Sequence, residues 1–258
     1  MRHVPRKRFG QNFLTDEAVI SAIVVAVAPQ PGDLMVEIGP GLGALTRPLA
    51  AHLDHLHVIE IDRDIVARLR TEFPPARVTV HEGDALGFDF KTLGASLRVI
   101  GNLPYYISTP LLFHLAHYAG TIRDIHVMLQ KEVVERMVAA PSCSEYGRLS
   151  VMLQYRFEME CVLDVPPEAF HPAPKVESAV VRMMPFVRLP HPARDEGSLR
   201  KIVTAAFSQR RKTLRNALSA YFKAEDFERA GVDAGLRAQD LRVEDFVRLA
   251  DGRAGSDG

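Results

Sequence analysis

The sequence predicts an α/β fold, a doubly wound and mainly parallel sheet with helices on both faces, followed by a small helical domain. Three observations carry that expectation. Short apolar runs alternate with amphipathic segments through the first half of the chain. The first run enters a glycine-rich turn, Gly39-Pro-Gly41-Leu-Gly43, and several of the later runs end on a polar residue. Beyond Phe186 the texture changes to helical periodicity after a Pro-rich stretch.

Taken in order, Asp16 to Val27 has helical apolar spacing and stops before Pro29 and Pro31. Leu34 to Gly39 reads as a buried strand, and Ala44 to His52 as the helix after its turn. Leu56 to Asp62 and Ile65 to Phe73 repeat the pair. Val78 to Asp84 and Leu97 to Asn102 are the third and fourth strands, a helix starts near Thr109, and Asp124 to Gln130 is the fifth strand. Such alternation demands right-handed crossovers and a parallel sheet. Arg188 to Gly197 reads as a linker, with helices to about Ala250 and a disordered tail from Gly252 to Gly258. The expected domains are therefore 1–187 and 188–258.

With 258 residues, 47% hydrophobic and 25% charged, the chain is in the globular range. The apolar stretch Ala18 to Pro29 is too short to span a bilayer, and no apolar segment follows the basic N-terminus. The two cysteines, Cys143 and Cys161, have neither a disulfide framework nor metal-ligand spacing. A soluble, cytoplasmic monomer without a membrane partner is the expectation. Net charge is +0, so any nucleic-acid contact must rest on local stripes. Arg2, Arg6, Lys7 and Arg8 form one. Arg200, Lys201, Arg210, Arg211, Lys212 and Arg215 form another, with no acid between Glu196 and Glu225. Such stripes suit phosphates or are solvated faces. His52, His55 and His57 lack acidic or thiol partners and read as surface histidines, so no metal is expected. Met128, Met137, Met152 and Met159 read as core fillers.

Open α/β sheets bind ligands at the carboxyl ends of their strands. Gly39 and Gly41 follow the first strand and let a ligand approach the backbone. Glu60 ends the second, where a carboxylate can hold ribose hydroxyls, and Asp84 ends the third, where it can accept from an adenine amine. This constellation names an adenosine-containing cofactor. It also satisfies the relaxed dinucleotide fingerprint, so the glycines leave nicotinamide chemistry open.

Asn102-Leu-Pro-Tyr105, at the end of the fourth strand, separates the two readings. An exocyclic adenine amine is a poor nucleophile because its lone pair is delocalised into the ring. A site that uses it should accept hydrogen bonds from both amine protons. The Asn102 side-chain oxygen and the Leu103 carbonyl are suitable acceptors, Pro104 restrains the turn, and Tyr105 offers a ring for stacking. Orientation and electrostatics then suffice for methyl transfer, and hydride transfer gains nothing from these residues.

An ordered set of segments carries a resemblance. It comprises Phe9-Gly-Gln-Asn-Phe-Leu14, Glu37-Ile-Gly-Pro-Gly-Leu-Gly, Gly83-Asp-Ala-Leu, Gly101-Asn-Leu-Pro-Tyr, Met128-Leu-Gln-Lys-Glu-Val, Tyr146-Gly-Arg-Leu-Ser-Val, Phe170-His-Pro-Ala-Pro-Lys-Val-Glu-Ser and Phe207-Ser-Gln-Arg-Arg-Lys-Thr-Leu-Arg-Asn. Across about Arg8 to Phe246 the chain closely resembles the bacterial ribosomal-RNA adenine dimethyltransferases, which dimethylate two adjacent adenines in a small-subunit rRNA hairpin. The resemblance implies a Rossmann-like methyltransferase sheet, S-adenosyl-L-methionine as cofactor, and 16S rRNA in the immature small subunit as partner. It implies that Asn12 and Leu14 close over the cofactor, Gly39 passes beneath its methionine part, Glu60 holds the ribose, Asp84 the adenine, and Asn102 borders both cofactor and target base. Phe170 would face the target adenine opposite Tyr105. Arg148, Arg210, Arg211, Lys212 and Arg215 become rRNA-backbone contacts, joined by Arg6, Lys7 and Arg8. Tyr106 departs from the pattern, since many relatives carry Asn there, and alters the pocket wall. Two neighbouring functions stay in view: methylation of a large-subunit adenine, and an assembly checkpoint in which binding outweighs catalysis.

Overall fold

The computed structural model describes residues 12–254. The chain divides into two compact units, one made by residues up to Val134 with Met159–Pro185, the other by Glu135–Glu158 with the residues from Phe186 onward.

In the first unit the chain runs through β1 (Phe13–Leu14), α1 (Glu17–Val27), β2 (Met35–Ile38), α2 (Thr46–His52), β3 (Leu56–Glu60), α3 (Arg63–Glu72), β4 (Val78–Glu82), β5 (Leu97–Asn102), α4 (Ser108–His117) and β6 (Ile122–Gln130). It leaves by α5 (Lys131–Val138), passes through α6 (Arg148–Gln154) in the second unit, and returns through β7 (Phe157–Val165), β8 (Phe170–His171) and β9 (Ser178–Pro185). The main sheet has seven strands in the order β4-β3-β2-β5-β6-β9-β7. The pairs from β4 to β6 are parallel, and β9 lies antiparallel to β6. The doubly wound, mainly parallel expectation is met.

Local chemistry explains the boundaries. Asp16 accepts from the Ala18 and Val19 amides at 2.8 and 3.0 Å and starts α1, and Ala28, in the left-handed region, ends it before Pro29. All four residues of β2 are buried, as a strand covered on both faces requires. Arg98 on β5 bonds Asp124 on β6 at 2.9 Å and Asp33 at 2.6 Å, an ion-pair network that remains satisfied although buried. Three strand pairings were not anticipated, β9 with β6, β7 with β9, and β1 with β8. β7 is largely exposed and has no clean alternation, and β1 and β8 have two residues each.

The second unit contains α6, α7 (Glu196–Ser208), α8 (Leu214–Ala217), α9 (Ala224–Ala230) and α10 (Val243–Ala254). Here the structure differs from a single cut after Val187. Tyr146, Val151 and Tyr155 are buried in one core with Leu199, Ile202 and Phe246, so residues 135–158 fold with the C-terminal helices. The expected tail also starts later. α10 continues through Gly252, whose Cβ position lies 3.9 Å from the Ala230 Cβ, and packing there outweighs the small helix penalty of one glycine. Positions 255–258 lie outside the described residues. Among the described residues no helix is long and apolar enough to cross a membrane.

The strand order reverses between β2 and β5, and there the two backbones approach unusually closely. A Cβ on Gly101 would stand 2.5 Å from the Ile38 carbonyl oxygen. Gly101→Ala should therefore push β2 from β5 and destabilise the protein by about 2 kcal/mol, read as a lowered Tm; an unchanged Tm would contradict this close approach.

Candidate active site

The crevice at that switch point opens into a cavity of about 340 Å3. Its walls include Asn12 and Leu14, the glycine turn, Glu60, Asp84, and Asn102 to Ile107. The residues expected at the ends of four different strands thus meet in one place.

Gly41 adopts φ +53°, and a Cβ there would press on the Phe13 ring at 3.1 Å. The glycine turn is therefore packed beneath β1, and Phe13 is a wall residue the sequence did not single out. Glu60 is buried, and its Oε1 accepts from the Ile61 and Asp62 amides, both at 2.9 Å. The Gly41 amide also bonds this carboxylate, which ties Glu60 to the glycine turn. Burial raises the Glu60 pKa, against the lowering effect of the Asp62, Ile61 and Gly41 amides. Asp84 is exposed and caps the short turn Ala85–Gly87 by accepting from the Leu86 amide at 2.9 Å through Oδ1, which leaves Oδ2 as an acceptor. Gly39 and Gly41 at the backbone, with these two carboxylates on neighbouring strands, fit an adenosine-bearing ligand with a ribose.

At Asn102, Nδ2 donates to the Asn12 carbonyl at 3.1 Å. The amide cannot be reversed without setting oxygen against oxygen, so Oδ1 is the atom left to accept. The Leu103 amide donates to the Met128 carbonyl at 3.1 Å, fixing the turn with its own carbonyl as the second acceptor. Pro104 has φ −57° and leads into the turn Tyr105–Ile107. The Tyr105 hydroxyl shares a 2.7 Å hydrogen bond with Ser178 of β9, which tethers the ring.

The structure does not bring Phe170 to this cavity. Its side chain is buried in the core, and its backbone pairs with Leu14 in the β1–β8 ladder. The segment from Pro166 to His171, further tied by the Ala169 carbonyl to the Thr15 amide at 2.8 Å, uses Phe170 as its anchor. Arg210 is likewise committed. Its Nη2 donates to the Ser144 carbonyl and, at 3.0 Å, to the Tyr146 carbonyl. Arg148, Arg211, Lys212 and Arg215 are exposed. Arg2, Arg6, Lys7 and Arg8 lie outside the described residues. The histidines are not simply a surface set. His57 Nδ1 is 3.1 Å from His81 Nε2, and burial with the neighbouring His55 and His81 takes its pKa down to about 4.

Glu37 was part of the glycine motif but had no assigned role. It is buried beneath the turn and accepts from Thr46 Oγ1 at 2.6 Å through Oε2. Burial raises its pKa to about 7, with a smaller contribution from Glu60. A carboxyl with a raised folded-state pKa stabilises the protein below its unfolded value, and that contribution is lost as pH rises toward 7. Glu37→Gln should therefore flatten the fall in stability between about pH 4.5 and pH 7 in the ligand-free protein, by about 3 kcal/mol. Denaturant titrations across that range check it; parallel curves for both proteins would count against a buried neutral acid.

Comparison with known proteins agrees with this geometry. The family described as ribosomal RNA adenine dimethylase matches residues 2–253. Proteins named ribosomal RNA small subunit methyltransferase A from Chromobacterium violaceum and Thiobacillus denitrificans are each 63% identical, over 250 and 247 residues, covering 96% of this chain and 95% and 97% of theirs. The crystal structure of a dimethyladenosine transferase from Plasmodium falciparum shares the fold, with a TM-score of 0.79 at 24% identity over 92% of this chain and 95% of that one. The 23S rRNA methyltransferase ErmE gives 0.73 at 25% identity, over 94% and 100%. Match length and identity leave no ambiguity of kinship: the chain belongs to the ribosomal RNA adenine dimethylase family.

Proposed function

We propose that this protein transfers methyl groups from S-adenosyl-L-methionine to N6 of two adjacent adenines in a 16S rRNA hairpin near its 3′ end, forming N6,N6-dimethyladenosines during small-subunit biogenesis. The carrying observation is that the Asn102–Tyr105 turn and the Gly39, Glu60 and Asp84 positions line one cavity in a member of this family. Relatives at 57–63% identity bear a small-subunit name. The working form is a cytoplasmic monomer acting on immature small subunits.

When bound, the cofactor supplies an electrophilic methyl on a positively charged sulfur. Glu60 would hold the ribose hydroxyls and Asp84 the cofactor's adenine amine, while Gly39 and Gly41 would admit the methionine part. Asn12 and Leu14 close the cavity, which excludes water from the reacting atoms. Asn102 Oδ1 and the Leu103 carbonyl accept the two N6 protons of the target adenine and aim its lone pair. Tyr105 flanks the base, held by Ser178. No side chain acts as a covalent nucleophile, and the amine proton leaves to solvent after transfer. In the helical unit Arg148, Arg211, Lys212 and Arg215 meet rRNA phosphates, while Arg210 shapes the loop before Arg148.

Asn102→Ala should lower kcat about 100- to 1000-fold while leaving RNA affinity within a few-fold; equal loss of RNA binding would mean that Asn102 supports the fold of the binding surface instead. The likeness to ErmE gives large-subunit methylation as the second reading. Mass spectrometry of rRNA from immature small subunits incubated with the protein should reveal two adjacent dimethyladenosines, with large-subunit RNA unmodified. Modification confined to large-subunit RNA would overturn the small-subunit assignment.

A further inference from the structure

Tyr106 directly follows the Asn102–Tyr105 turn, and the two tyrosines are held differently. Tyr105 is half-buried and tethered through Ser178. Tyr106 is 57% exposed, yet its side chain belongs to the same cavity wall as Glu60 and Asp84. A large aromatic ring left in water at the rim of a cavity gains from any flat apolar surface laid against it.

The position narrows what that surface is. Glu60 and Asp84 are the two carboxylates suited to ribose hydroxyls and an adenine amine, so the adenosine end of a ligand is the part brought nearest to Tyr106. The phenol stays protonated beside them, because partial burial and then the charges of Asp84 and Glu60 raise its pKa. It is thus a neutral ring with a donor, which does not compete with the acids for charge. The ring rides on a single short turn, Tyr105–Ile107, that starts at Pro104 without a side-chain cap.

We infer that Tyr106 is a positioning residue for the cofactor: its ring lies over the adenosine part at the cavity rim and sets how tightly the cofactor is retained. The inference rests on the S-adenosylmethionine reading of this cavity. Dimethylation of one base needs two methyl transfers, and each transfer needs cofactor exchange, so a rim residue that governs retention acts on every round.

Calorimetry of the full chain with S-adenosylmethionine and with S-adenosylhomocysteine tests this, beside steady-state assays on small-subunit rRNA. Tyr106→Ala should weaken both ligands about tenfold, the scale of one aromatic face lost from a base, and raise KM for the cofactor with kcat little changed. Tyr106→Phe should restore the affinity, since the ring is the operative part. Tm should be unchanged in both, because the side chain is exposed. Cofactor affinity within twofold of the parent in Tyr106→Ala overturns the inference, as does a rise in KM for rRNA alone, which would turn the ring toward the RNA. Failure of the parent protein to bind either ligand would instead remove the cofactor reading beneath it.

Discussion

The side chain of Asn102 has one donor group and one acceptor, and the fold decides where each goes. Its Nδ2 is held by the Asn12 carbonyl, so Oδ1 is what the turn presents. That single hydrogen bond joins a strand end to the segment that enters the sheet-bearing unit from the N-terminal side. It orients the amide and draws Asn12 to the cavity at the same time. Everything the turn offers to an amine depends on this, because a reversed amide would present N–H groups to N–H groups. The neighbouring Leu103 is fixed by the same logic, its amide bound to Met128 and its carbonyl left as an acceptor.

Around this turn the unit is built to bring backbone together and to keep acids buried. Gly101 lets β5 run against the Ile38 carbonyl, which sets Asn102 beside the end of β2. Glu37 and Glu60 are both buried with pKa values raised mainly by desolvation. Carboxyls in that state favour a positively charged partner, because ionising them without one is costly. Glu37 meets that demand through Thr46, and Glu60 through the amides of Gly41, Ile61 and Asp62. Tyr106 adds an aromatic contact at the exposed rim, beside the carboxylates of Glu60 and Asp84.

Much of this was legible in the residues themselves. Short apolar runs between amphipathic segments gave the five parallel strands, because a strand covered on both faces is apolar along most of its length, and Asp16 stands where the first helix begins, whereas Asp62, read as a strand end, caps the next one. Gly39, Gly41, Glu60, Asp84 and Asn102 were found as strand-end residues, and the fold gathers them. What escaped depends on contacts distant in sequence. Residues 135–158 look like a continuation of the α/β pattern, and only the shared core of Tyr146 and Tyr155 with α7 assigns them to the helical unit. Phe170 sits in a Pro-flanked segment that suits either an exposed platform or a buried anchor, and its pairing with Leu14 makes it the latter here. Arg210 looks like its basic neighbours until its guanidinium is seen on two carbonyls. Phe13 and Glu37 gave no separate signal because their importance lies in packing against Gly41 and Thr46.

The account stands on the orientation of one amide at the end of β5. A crystal structure with a non-reactive cofactor analogue and an RNA hairpin bearing the target adenines tests it most directly. The expected result has Asn102 Oδ1 and the Leu103 carbonyl each within hydrogen-bond distance of the target N6, with Nδ2 still on the Asn12 carbonyl. A target amine bound elsewhere, or an Asn102 side chain turned away from both the base and Asn12, would contradict it.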